Sequence, residues 1–258
     1  MNQQIAVDDA LGLFVPGSAG SPEGLATLTK LAISQTIPFL SMLVESCQTG
    51  RVQKMDVTAF CSLADFGNAT DFKALCDQYG SDKARSHNYH YLYAPILRAR
   101  DKVSAVLEIG MGTNNTDVVS NMGQYGRPGA SLRAFRDFLP NALIFGADVD
   151  RRILFEEERI KTFFVDQTVL DSFRALGEGI PPAMDLIIDD GLHAPNANLA
   201  VLLFGLKRLK VGGWLVVEDI PPQAIPLWEV VSAVLPQTFK PYLIRTAAAM
   251  VFAVERLG

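Results

Sequence analysis

From Val103 onward the chain alternates short apolar runs, each ending in glycine or a carboxylate, with stretches of helix length. That is the grammar of repeated βαβ units. The runs are Ala105–Ile109 (AVLEI), 142–147 (ALIFGA), 161–165 (KTFFV), 184–188 (MDLII) and 214–217 (WLVV). Their unbroken apolar character suits parallel strands covered by helices on both faces, since burial of one face alone would produce alternation. Near the end, 241–245 and 250–255 read as two strands joined by a short turn, which predicts an antiparallel hairpin on the sheet edge. The expected fold class is α/β: a doubly wound, seven-stranded, mostly parallel sheet with a C-terminal antiparallel hairpin.

Upstream the pattern changes to helical spacing, with Leu25, Leu28, Leu31 and Ala32, then Phe60, Leu63 and Phe66. This predicts a small helical N-terminal region over 21–77 ahead of the main domain over 78–258. Residues 1–20 end in a cluster of Pro, Gly and Ser and read as a flexible arm. The apolar helical face over 25–44 would be costly to leave in water, so it is expected to cover the active site or a homo-oligomer interface. Its most apolar window, 31–44, falls short of the roughly 18 residues of a membrane span and is broken by Ser34, Gln35, Thr36, Pro38 and Ser41. A packed helix and no membrane partner are expected. The N-terminus lacks a positive segment followed by an apolar one, so no export by that route is expected. With 23 basic against 28 acidic residues and no basic run longer than a pair, electrostatic capture of nucleic acid or an anionic membrane is disfavoured. The cysteines, Cys47, Cys61 and Cys76, are too far apart in sequence to make a metal pair and fit a reducing cytoplasm.

The first strand runs into Glu108-Ile109-Gly110-Met111-Gly112-Thr113-Asn114-Asn115. Glycines there let the backbone turn sharply at the carboxyl edge of the sheet, where open α/β sheets bind ligands. A dinucleotide fingerprint would place a third glycine where Asn115 stands, which weakens pyrophosphate binding. The next strand ends Gly146-Ala147-Asp148-Val149-Asp150, putting a carboxylate where it could accept both hydroxyls of a ribose. The third ends in Asp166-Gln167, a polar pair suited to an adenine edge. Taken singly, Gly110 and Gly112 could be turn glycines and Asp148 a helix cap; three successive strand ends of this kind are hard to explain as turns.

The motifs E-I-G-M-G and G-A-D-V-D resemble those of the class I S-adenosylmethionine-dependent methyltransferases, over roughly 78–258. The resemblance implies a Rossmann-like methyltransferase sheet, Glu108, Gly110 and Gly112 beside the methionine part of S-adenosylmethionine, Asp148 on the ribose, and Asp166 with Gln167 near the adenine.

The fourth strand ends Asp189-Asp190-Gly191-Leu192-His193 and the fifth ends Glu218-Asp219. In a doubly wound sheet these ends are neighbours, and hard carboxylates meeting there suit Mg²⁺ or Ca²⁺. Solvated or helix-capping carboxylates are the plainer alternative. The D-D-G-x-H turn and the E-D pair resemble those of metal-dependent O-methyltransferases of macrolide sugars and their cephalosporin-hydroxylase-like relatives. That resemblance implies Asp190, Glu218 and Asp219 as ligands of Mg²⁺ or another divalent cation and His193 as the base. Asp189 stays beside His193 as a catalytic candidate, since the sequence does not decide which aspartate of the pair coordinates. The same branch carries a Y-G-S-D-K and H-x-Y segment that folds over the cofactor, matched by Tyr79, Ser81, Lys83 and Tyr89.

The expected activity is divalent-metal-assisted O-methylation of a hydroxyl on a small molecule such as a natural-product sugar. The alternatives are an NAD(P)-dependent oxidoreductase and a non-catalytic cofactor-binding protein of the same fold.

Overall fold

The structure is a computed structural model and describes residues 12–15, 21–46 and 50–258. Most of the expected arm, 1–11 and 16–20, and Cys47 lie outside the described residues. The chain divides into two compact units: residues 1–51 with 225–235, and residues 52–224 with 236–258.

In the first unit, helix α1 (Pro22–Ser46) packs with a helix over Ile225–Val234, and the Ser41 hydroxyl donates to the Glu229 carboxylate. Large apolar side chains of α1 stay exposed, Phe39, Met42 and Leu43 among them. Among the described residues α1 is the one helix long and apolar enough to cross a membrane by length and composition, a test that a packed helix passes too. The hydroxyls of Thr29 and Thr36 bond back to carbonyls one turn earlier, a local way of satisfying polar groups on an apolar helix.

The second unit is a nine-stranded sheet. In chain order the strands are β1 (Gln53–Asp56), β2 (Ala105–Ile109), β3 (Leu143–Asp148), β4 (Glu156–Glu157), β5 (Ile160–Phe164), β6 (Met184–Asp189), β7 (Leu209–Ile220), β8 (Phe239–Arg245) and β9 (Met250–Arg256). In space they run β1-β8-β9-β7-β6-β2-β3-β5-β4. From β7 through β5 all neighbours are parallel, whereas β9 is antiparallel to both β7 and β8. The seven expected strands are present, and two short ones extend the edges. β1 pairs parallel with β8 and β4 antiparallel with β5. The strand QKMD thus falls inside the stretch expected to be helical; its side chains are mostly exposed, so pairing alone makes it a strand.

Every residue of β2 is buried, as its unbroken apolar run requires. The chain proceeds from β2 to β3 and β5 on one side and to β6 and β7 on the other, so the topological switch point lies between β2 and β6. Ligands bind at such points, outside the carboxyl ends of the strands.

Three helices cover the sheet upstream of and after β2: α2 (Phe66–Tyr79), α3 (His90–Ile96) and α4 (Ala130–Phe138). Their aromatic residues interlock, with Phe72 rings 4.8 Å from Phe135 and 5.1 Å from Phe138 and the Tyr93 ring edge-on to Phe135. Gly80, at φ 79°, ends α2 in the left-handed conformation that suits glycine. Ser81 then caps a single helical turn, Asp82–Arg85, and this turn aims Lys83 into the interior.

Candidate active site

At the switch point a cavity of about 530 Å³ opens beneath the carboxyl ends of β2, β3, β5, β6 and β7. Of the residues singled out from sequence, Ser81, Lys83, Gly110, Gly112, Asp148, Asp166, Gln167, Asp190, His193 and Asp219 line it. Tyr79, Tyr89, Glu108, Asp189 and Glu218 do not.

The glycine turn forms one wall. Gly110 has φ 89°, and a Cβ there would stand 2.1 Å from the backbone oxygen of Asp190. Only glycine lets the β2 and β6 ends approach this closely, tied as they are by Asp190 N–H donating to Ile109 O at 2.8 Å. Gly110→Ala is expected to lose at least about 1–3 kcal/mol of stability from the forced conformation alone, read by urea unfolding. An unchanged midpoint would show that the turn relaxes freely.

Asp148 is buried. Its Oδ2 accepts the Met111 N–H and its Oδ1 the Asp150 N–H, each at 2.9 Å. Burial raises its pKa against these stabilising bonds. Asp150, not singled out from sequence, pins the same loop by accepting Thr113 Oγ1 and Asn115 Nδ2, both at 2.7 Å, and pairing with Arg152. The Arg152 bond holds the Asp150 carboxyl well below its ordinary range. Asn115 therefore stands where a third glycine would be because it is a hydrogen-bond donor to this loop.

On the opposite wall the adjacent aspartates diverge, as successive residues leaving a strand do. Asp189 is fully buried beneath the cavity, accepting Gln167 Nε2 at 2.7 Å and Asn198 Nδ2 at 2.8 Å. Burial pushes its carboxyl up to about 6. Gln167 also accepts the Leu192 N–H, which ties the β5 end to the loop carrying His193. Tyr79 is half-buried against the core outside the cavity, with its hydroxyl bonded to Asp137 and Arg136.

Asp190, His193 and Asp219 bring one ligand atom each within 4.8 Å of one another. His193 Nε2 lies 3.9 Å from Asp190 Oδ1 and 4.0 Å from Asp219 Oδ2, while its Nδ1 is buried without a hydrogen-bond partner. Both His193 and Asp219 have φ 53°, a left-handed conformation that side chains other than glycine adopt at a cost of about 1–3 kcal/mol. Strain of this kind collects at sites that must aim a side chain.

Asp219 is held from its other oxygen. Oδ1 accepts the Tyr89 hydroxyl at 2.6 Å and lies 3.2 Å from His87 Nδ1, and the His87 and Tyr89 rings stack. Burial works against its charge, yet these contacts bring the carboxyl down to about 2. In return Asp219 raises the pKa of His87.

Glu218 points away from this cluster. One oxygen accepts Lys83 Nζ and the other the Tyr93 hydroxyl. Lys83 also reaches Asp190 Oδ2 at 2.7 Å and Glu108 Oε1 at 3.0 Å, and Ser131 bonds the far oxygen of Glu108. Burial would lower the Lys83 pKa, but Asp190, Glu218 and Glu108 outweigh it, so its ammonium stays charged. Burial pushes Glu218 and Glu108 upward. Three carboxylates (Glu108, Asp190 and Glu218) thus face a single lysine, with Asp219 beside them on His87, Tyr89 and His193, so acidic groups outnumber the one lysine at the strand ends. Tyr93, His87, Asp150 and Asn198 were the members that spacing did not single out; His87 and Tyr93 carried a signal in the H-N-Y-H-Y-L-Y run.

No family model matches the chain. It is 29% identical over 177 residues to the 8-demethyl-8-alpha-L-rhamnosyl tetracenomycin-C 2'-O-methyltransferase of Streptomyces olivaceus, spanning 67% of this chain and 44% of that protein. It is 31% identical over 125 residues to the mycinamicin VI 2''-O-methyltransferase of Micromonospora griseorubida, spanning 47% of this chain and 28% of that protein. The chain therefore matches less than half the length of these curated relatives. Among solved structures, a methyltransferase of the mycinamycin biosynthetic pathway, in complex with Mg, S-adenosylhomocysteine and mycinamycin VI, superposes with a TM-score of 0.59 at 23% identity, over 72% of this chain and 53% of the other. Strand order and the antiparallel β9 are those of the Rossmann-like methyltransferase fold, and over this part of its length the chain is similar to sugar O-methyltransferases of tetracenomycin and macrolide pathways.

Proposed function

We propose that the protein methylates a hydroxyl of a small natural-product sugar, using S-adenosylmethionine and a divalent cation. The observation that carries this reading is convergence. Gly110, Gly112, Asp148 and Asp166 line the same cavity as Asp190, His193 and Asp219, so a nucleoside-binding wall and an acid–base cluster share one space.

The cavity fits the cofactor in size, since sites for ligands of this class run to several hundred Å³. Each Asp148 oxygen accepts one backbone N–H and keeps a lone pair for a ribose hydroxyl. Asp166 is assigned to the adenine edge with Gln167 behind it, and Ser81 and Lys83 close the methionine side. S-adenosylmethionine supplies a sulfonium methyl whose transfer needs alignment more than acid–base help at the donor. Asp148→Ala should weaken S-adenosylhomocysteine binding about tenfold or more, from lost ribose bonds of about 1.5–3 kcal/mol each and from the freed Met111 loop. Unchanged calorimetric affinity would remove the ribose assignment.

The donor set also fits a divalent cation. Asp190 Oδ1 and Asp219 Oδ2 are hard oxygens left free by their other contacts, in a region of excess negative charge. A bound Mg²⁺ would fix an acceptor hydroxyl and make it more acidic. His193, beside both oxygens, would take the hydroxyl proton as the acceptor oxygen bonds to the methyl carbon and the methyl–sulfur bond breaks, with S-adenosylhomocysteine as the leaving group. Glu218, implied as a third ligand by resemblance, is engaged by Lys83 and Tyr93 instead. The oxidoreductase alternative gains no support, because the matched relatives are methyltransferases by name.

The N-terminal unit remains our candidate for a homo-oligomer contact, and the free, buried Cys61 and Cys76 fit a cytoplasmic setting. The test is incubation with S-adenosylmethionine, Mg²⁺ and a panel of rhamnosyl and other deoxysugar glycosides, read by mass spectrometry. A gain of one CH₂ unit that EDTA abolishes is expected. Cofactor binding with no transfer across a broad panel would reduce the protein to a non-catalytic binder.

A further inference from the structure

Helix α1 presents two stripes of side chains. One holds the buried Thr29 and Ser41 and turns toward the helix over Ile225–Val234, where Ser41 meets Glu229. The second is uncovered: Leu28 is 50%, Leu31 44%, Phe39 58% and Met42 63% exposed, and with Gln35 they recur at intervals of three, four, four and three residues. At about 3.6 residues per turn that spacing draws one continuous seam along the helix, the pattern of a face that packs on another helix. The charged residues of α1, Glu23, Lys30 and Glu45, fall off this seam. Its intervals also read the same in both directions from Gln35, and Gly24 and Ser46 extend the symmetry by one further step of four residues at each end.

We infer that this seam is the contact by which two copies of the chain associate, antiparallel across a two-fold axis that passes beside Gln35. The inference rests on the homo-oligomer reading of the N-terminal unit and deepens it, and it does not depend on the methyl-transfer chemistry. A two-fold contact uses one patch twice, so whatever residue i meets on the second copy must meet residue i in return. In the antiparallel register Leu28 packs on the partner's Met42, Leu31 on the partner's Phe39 and Gln35 on the partner's Gln35. Long apolar side chains then pair with long apolar ones, and the small Gly24 with the small Ser46. A glutamine amide both donates and accepts, so two facing Gln35 amides satisfy each other, and one polar pair in an apolar seam fixes the register. With about half of each apolar side chain in water, two copies joined here remove on the order of 1,000 Å² of surface, the size at which a specific interface begins. A seam without charge meets its own copy without repulsion. A lipid surface suits it less. Gln35 sits mid-seam, where an unpaired amide is costly in hydrocarbon, and helices that lie in the membrane interface are rich in basic residues on the polar face, whereas α1 has Lys30 alone.

Sedimentation equilibrium of the full chain tests this, with Leu31→Lys, Phe39→Glu and Leu31→Lys/Phe39→Glu beside wild type and a melting curve for each. Wild type should be a dimer at micromolar concentration, and each single variant should run at half that mass. The double variant should regain the dimer, because antiparallel pairing sets each introduced lysine against the partner's introduced glutamate, whereas parallel pairing would set like charges together. A wild-type monomer overturns the inference, and flotation of that monomer with vesicles of phosphatidylcholine and phosphatidylglycerol would give the face to lipid instead. A dimer that ignores both single substitutions, or a folded double variant that stays monomeric, overturns it as well. If the charged variants do not fold, Gln35→Cys combined with Cys47→Ser decides under mild oxidation, since Cys61 and Cys76 are buried. A covalent dimer on a non-reducing gel supports the two-fold axis at Gln35, and a monomer overturns it. Titration of the same wild-type sample with S-adenosylhomocysteine reads the methyl-donor proposal separately: a dimer that binds none would sink that proposal and leave the seam, and a monomer that binds it would do the reverse.

Discussion

Replacement of His193 by Ala is expected to slow methyl transfer by about two to four powers of ten, the usual range for loss of a general base, while S-adenosylhomocysteine and Mg²⁺ bind nearly as in wild type. The expectation follows from geometry. The His193 Nε2 stands between the free oxygens of Asp190 and Asp219, where an acceptor hydroxyl would arrive, and its left-handed backbone spends stability to hold it there. Single-turnover rates with saturating cofactor and acceptor separate the proton-transfer role from binding. A rate within a few-fold of wild type would remove the base assignment, and loss of Mg²⁺ affinity alongside the rate would make His193 a ligand instead.

Asp219→Asn should act on a different quantity. It removes one of the two carboxylates turned toward the seat, and with it the charge that Tyr89 and His87 hold in place. The Mg²⁺ dissociation constant should rise by more than the roughly 10- to 100-fold that loss of a supporting bond alone costs a metal site. Turnover at low Mg²⁺ should vanish and partly return at high Mg²⁺. Calorimetry of the variant checks the first expectation and a Mg²⁺ titration of rate the second. If affinity and rate are both unmoved, Asp219 is a structural acceptor for Tyr89 and His87 and nothing more.

The fold was legible where burial leaves a period in the sequence. β2 and β6 are continuous apolar runs because helices cover both faces, and the β8–β9 hairpin announced itself by two such runs with little between them. β1 was hidden because QKMD has no strand pattern of its own and depends on β8, some 190 positions away, for its pairing. The carboxylates at the strand ends were legible as a set, since topology brings the ends together whatever the side chains do. Their division of labour was not. Lys83 bonds partners 107 and 135 positions away, and no local spacing encodes that contact. Asp189 and Asp190 are neighbours in sequence and part company only because successive side chains leave a strand on opposite faces: one meets Gln167 and Asn198, the other Lys83 and His193. Tyr79, grouped with the cofactor by its place in Y-G-S-D-K, ends a helix half-buried against the core and away from the cavity, where its hydroxyl donates to Asp137 and accepts from Arg136.

The cavity at the switch point is the centre of the proposed chemistry, and competitive titration calorimetry probes it most directly. With Mg²⁺ present, S-adenosylhomocysteine should bind wild type one-to-one, bind Asp148→Ala about tenfold or more weakly, and be undisturbed by excess NAD. Binding of NAD in its place, or no binding of S-adenosylhomocysteine to the folded wild type, would contradict a methyl-donor site in this fold.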